Sequence, residues 1–152
     1  MKLAIALQER ADLNIKIQQI NYRLNSNAVV QEGEKTQESP EELLNELNSC
    51  LENLEQLICR INITNCQTKT SYNNMTLTEL IAKKDILTLK IKSYRNLVDS
   101  ASNLAIRVSR SEIKVMSNID IKKTQKEIDR LSKELRIIDN CIQETNWLVE
   151  LI

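Results

Sequence analysis

The sequence predicts an all-α fold of about four long, antiparallel, coiled-coil-like helices, forming a single helical domain over residues 1–152. Three observations carry the prediction. The chain has one Gly, one Pro and no Phe, so it lacks the residues that frequent turns and sheet packing require. Apolar residues recur at spacings of three and four along four separate stretches. Three of those stretches open on a helix-start signal.

The first helix is expected over about 2–29, with Leu3, Leu7, Leu13, Ile17, Ile20 and Leu24 on its apolar face. The stretch 30–39 is charged and holds the only glycine, Gly33, and reads as a loop. Ser39-Pro40-Glu41-Glu42 then supplies an N-cap, a proline at the first helical position and acids where the helix dipole favours them. The second helix, 40–66, carries two overlapping rows. One is Leu44, Leu47, Leu51, Leu54, Ile58 and Ile61; the other is Leu43, Leu47, Cys50, Leu54, Leu57 and Ile61. A double seam of this kind predicts more than one neighbouring helix.

The polar run 67–74 breaks the pattern, and Thr76-Leu77-Thr78-Glu79 has the form of a capping box. The third helix, 76–105, places Leu80, Leu87, Ile91, Tyr94, Val98 and Ala101 on one face. Asp120 suits the cap of a fourth helix over 120–152, about 48 Å long at 1.5 Å per residue. Its seam, from Ile121 through Ile128, Leu135 and Ile142 to Ile152, predicts supercoiling against a partner helix. Trp147, Leu148 and Leu151 add apolar surface off that seam, so self-association is expected at this end. Between the third and fourth helices, Ile113, Val115 and Ser117 follow a period of two. That predicts a short extended or β segment near 107–119.

The chain is 41% hydrophobic and 28% charged, too apolar for disorder, and its charges cancel to a net of zero. No apolar run reaches the roughly 18 residues that a membrane span needs. Bulk attraction to nucleic acid or to a membrane is therefore not expected. The charges are nevertheless segregated, with eight acids and two bases over 32–60, against fourteen bases and seven acids over 83–136. Met1 to Leu7 reads as the first turns of a helix rather than a signal peptide, because Gln8, Glu9, Arg10 and Asp12 follow too soon. A cytoplasmic location is expected, with Cys50, Cys59, Cys66 and Cys141 reduced. No CxxC motif and no histidine are present, so no metal site and no cofactor are expected.

The absence of histidine excludes imidazole base catalysis and the usual triads, and one glycine cannot build a phosphate loop. The chain is read as a non-enzyme. The segment that stands out is Ser109-Arg110-Ser111-Glu112-Ile113-Lys114. Arginine binds phosphate or carboxylate in bidentate fashion and flanking hydroxyls add donors. Arg107, Ser109, Arg110, Ser111 and Lys114 are thus the candidate ligand-binding residues for a small anion such as a nucleotide. The plainer reading is that Arg110 pairs with a glutamate of the second helix while the serines cap a turn. Asn62, Thr64, Asn65 and Asn146 read as end-capping or ligand contacts, and Trp147 as a packing residue.

Met1-Lys2-Leu3-Ala4, Glu9-Arg10-Ala11-Asp12-Leu13 and Val30-Gln31-Glu32-Gly33-Glu34 resemble the septicolysin-like family of small bacterial proteins. So do Thr76-Leu77-Thr78-Glu79, the 109–114 segment and Gln143-Glu144-Thr145-Asn146-Trp147-Leu148. The resemblance implies a bacterial or phage origin, a helical fold and, by the family's name, a cytolysin. The residues themselves point to a non-enzymatic homo-oligomer that binds a small anionic ligand or a protein partner through the Arg/Ser segment. The alternatives are a membrane-lytic toxin of the septicolysin type and a purely structural coiled-coil adaptor.

Overall fold

A computed structural model describes residues 1–103 and 114–152. Among the described residues the chain forms four helices, α1 (Leu3–Ser26), α2 (Pro40–Gln67), α3 (Leu77–Ser102) and α4 (Ile121–Leu148). The described residues include no strand, only isolated bridges between Lys2 and Glu150 and between Lys69 and Thr76. The predicted extended or β segment near 107–119 falls largely outside the described residues. Residues 114–117 have no regular structure, and 107–113 lie outside the described residues. No helix of the described residues is long and apolar enough to cross a membrane.

Three starts fall where capping chemistry places them. The Ser39 hydroxyl accepts from the Glu42 amide at 3.4 Å, with Pro40 at the first helical position. The Thr76 hydroxyl accepts from the Glu79 amide while the Glu79 carboxylate accepts from the Thr76 amide, closing a full capping box. The Asp120 carboxylate accepts from the Lys123 amide at 2.9 Å. In α1 no side chain caps the start; the Leu3 amide donates instead to the Val149 carbonyl at 2.9 Å.

The chain divides into two compact units, Met1–Thr68 with Thr145–Ile152, and Lys69–Glu144. In the first, α1 and α2 form a hairpin clasped by ion pairs from Lys16 to Glu46 and from Arg23 to Glu38 and Glu46. Leu43, Cys50, Leu57 and Ile61 of α2 are buried with Leu3, Ala6 and Ile20 of α1. Here the fourth helix departs from its expected course to Ile152: it stops at Leu148. Residues 149–152 run alongside the first three, with the Leu151 amide on the Met1 carbonyl at 2.8 Å. Extended pairing wins because it satisfies the Leu3 amide and buries Leu151, which another helical turn would not. The first helix ends at Ser26 rather than near 29, its last carbonyls taken by the Asn27 amide.

In the second unit, α3 is joined to the polar run 69–75 by a tight turn. Asn73 and Asn74 both adopt positive φ, 50° and 56°, and the Met75 amide donates to the Tyr72 carbonyl at 3.1 Å. Two successive left-handed residues define a type I′ turn, and asparagine tolerates that conformation best after glycine. The third helix closes at Ser102 with Asn103 as its C-cap, short of the expected 105. Leu77, Leu80, Leu87 and Ile91 of α3 are buried, as are Ile128, Leu131 and Ile138 from the predicted seam of α4.

Candidate functional site

Within the second unit, α3 and α4 are zipped by charge at one end. Lys83 meets Glu134 at 3.0 Å, and Lys84 pairs with Asp139. The Tyr72 hydroxyl donates to the same Glu134 oxygen at 3.1 Å, and the Lys83 ammonium lies 4.9 Å from the Tyr72 ring centre. The hydrogen bond from Lys83 holds the Glu134 carboxyl below the usual carboxylate range, and Glu134 in return pushes Lys83 up. These basic residues of α3 are spent on structure.

Two turns further along α3 the ladder stops. Lys92 and Arg95 are exposed and have no acidic partner among the described residues. Opposite them α4 offers Ser132 and Leu135 instead of a carboxylate. A groove of about 500 Å³ opens there, with Thr88, Lys92, Arg95, Asn96 and Asp99 on its α3 side and Ile91 and Leu135 as apolar floor. The Ser132 hydroxyl is buried and makes no hydrogen bond. An unsatisfied buried hydroxyl is uncommon in a folded protein and costs about 1–3 kcal/mol, so a donor or acceptor brought into the groove would relieve it.

The α3 lining residues recur at intervals of three and four, so one helical face presents them all. Two cations can hold phosphate or carboxylate oxygens, Arg95 by its planar fork and Lys92 as a point charge. Asp99 and the Asn96 side-chain carbonyl are acceptors for a hydroxyl or amine on the same molecule. Among the described residues no cluster of Cys, Asp and Glu is grouped as a metal ion requires.

Of the residues singled out from the sequence, Arg107, Ser109, Arg110 and Ser111 lie outside the described residues, and with them the expected pairing of Arg110 with α2. Lys114 is exposed. The groove residues were missed because Lys92 and Arg95 look like any solvated helix face until their neighbours on α4 are known. Thr64 is fully buried and structural: its hydroxyl donates to the Arg60 carbonyl at 2.8 Å and accepts from the Ile152 amide at 3.0 Å. Trp147 is not a packing residue but 60% exposed, because the last turn of α4 buries Thr145 and Asn146 instead.

A family model, described as a family of unknown function (DUF6847), matches residues 10–151. The chain belongs to the DUF6847 family. Its fold is also that of a solved structure, the crystal structure of a functionally unknown conserved protein from Corynebacterium diphtheriae. The two share 37% identity and superpose with a TM-score of 0.90, over 100% of this chain and 99% of the other. No curated protein matches. These findings overturn the resemblance to the septicolysin-like family. The runs that suggested it are short, and one of them, Thr76–Glu79, is a capping box that local helix chemistry alone favours.

Proposed function

We propose that this DUF6847 member is a non-enzymatic binding protein that holds a small phosphorylated or carboxylated molecule in the groove between α3 and α4. One observation carries the reading. Lys92 and Arg95 face the groove with no acidic partner among the described residues, beside a buried Ser132 hydroxyl that has none either. The ligand's anionic group lies on Lys92 and Arg95. Asp99 leaves the lining one positive charge rather than two, which favours an anion that also carries a hydroxyl or amine, as a nucleoside monophosphate does. A groove of this volume lies within the usual range for small-molecule sites. Cys50, Cys59, Cys66 and Cys141 are not joined by disulfides, which supports a reducing compartment such as the cytoplasm.

Calorimetric titration with inorganic phosphate, pyrophosphate and adenosine monophosphate tests this. At least one should bind, and Lys92→Ala/Arg95→Ala should weaken it by tenfold or more, since charge-assisted contacts contribute about 1.5–3 kcal/mol each. No heat with any of the three at millimolar concentration, or undiminished binding by the double variant, would overturn the reading.

A further inference from the structure

The two apolar rows of α2 have different fates. Leu43, Cys50 and Leu57 are 3%, 5% and 6% exposed, whereas Leu44, Leu51 and Ile58, one residue on, remain 48%, 44% and 38% exposed. The uncovered row repeats every seven residues over about 21 Å of helix, the pattern by which one helix seats against another. On α3, Ile86, Leu89 and Leu97 form a second exposed apolar stripe, turned away from the buried Leu80, Leu87 and Ile91. It runs for about 16 Å.

The charges beside the two stripes differ, acidic along α2 and mixed along α3. Glu52 and Glu55 flank the α2 row, and neither has an ion-pair partner among the described residues. Lys90 lies one turn from Ile86 and two turns from Leu97, with its ammonium 5.6 Å from the Tyr94 ring centre; it forms no ion pair among the described residues, although its charge reaches Glu127 of α4, and exposed Asp85 lies one turn from Leu89. The units that carry them differ in charge as well. Residues 1–68 with 145–152 contain eleven acids and six bases, and 69–144 contain ten acids and fifteen bases. Pairing α2 with a second α2 would set carboxylates against carboxylates, because Arg60 is the only base in that helix.

We infer that the occupant of the α2 row is the α3 stripe of a second copy of the chain. The contact joins two different surfaces, so each copy offers one of each, and the assembly closes as a two-fold dimer that makes the contact twice or as a larger ring. The inference is independent of the ligand groove, whose Lys92 and Arg95 lie on another side of α3 from Ile86 and Leu97.

Two double variants of the full chain test it by sedimentation velocity at 50 μM, roughly where a modest interface assembles. Leu51→Glu/Ile58→Glu spoils only the α2 row, and Ile86→Glu/Leu89→Glu only the α3 stripe. All four positions are exposed, so circular dichroism should report unchanged helix content. The wild type should sediment as an assembly and each variant alone as a monomer. Mixed together, the two variants should form a one-to-one dimer and nothing larger, because one intact α2 row then meets one intact α3 stripe. A monomeric wild type overturns the inference. An α3 variant that still dimerises alone assigns the α2 row to a second α2 and overturns it too, as does a mixture that stays monomeric.

Discussion

Lys83 and Glu134 meet across α3 and α4 at 3.0 Å, and Tyr72 donates a hydrogen bond to the very oxygen that Lys83 approaches. Two groups, from α3 and from the run before it, thus share one carboxylate of α4. The arrangement makes the unit's stability depend on pH in a direction that can be worked out.

The Glu134 carboxyl is held below its ordinary 4.5, first by the Lys83 hydrogen bond. A carboxylate depressed in the folded state contributes stability that is fully present above 4.5 and is lost as pH falls through the lower folded value. Glu134→Gln should therefore be less stable than wild type at pH 7, by about 0.5–1 kcal/mol for a partly exposed pair. The gap should close as acid is added below pH 4.5. Urea denaturation across that range measures it, and a gap that does not change with pH would refute this assignment.

Capping at Thr76 is expected to be worth about 1 kcal/mol. Thr76→Ala should lose that amount, and Thr76→Ser should keep most of it, because the hydroxyl is what the Glu79 amide donates to. The Glu79 carboxyl, held low mainly by the Thr76 amide and then by its hydroxyl, should move upward in the Ala variant when titrated by NMR.

Thr64 ties α2 to the chain's last residue. Thr64→Val keeps the shape but removes the acceptor for the Ile152 amide, and should cost about 1–2 kcal/mol. Hydrogen exchange should show the Ile152 amide losing protection while those in the middle of α2 keep theirs. Equal loss at both places would mean that Thr64 acts on the whole unit rather than through this bond.

Asp99 is expected to set ligand preference in the groove. Asp99→Asn removes the lining's only negative charge. Inorganic phosphate should bind severalfold tighter to the variant, while adenosine monophosphate should gain less, since its hydroxyls lose an anionic acceptor. Calorimetry with both ligands reads the ratio; an unchanged ratio would remove Asp99 from the site.

What could be read without coordinates follows from the range of the forces involved. Caps act over three or four residues, so Ser39-Pro40, Thr76 with Glu79, and Asp120 announced three helix starts on their own. Apolar periodicity likewise identified the helices and the double row on α2. Which of the two rows would be covered was a tertiary decision, because Leu43 and Leu44 are chemically alike and only the approach of α1 distinguishes them. The end of α4 was decided the same way, by an amide of α1 that claimed the Val149 carbonyl from residues far away in the chain. So was the groove: Lys83, Lys84, Lys92 and Arg95 carry the same charge on the same helix, and only the residues that α4 sets opposite them determine which are neutralised and which are left without an acidic partner among the described residues.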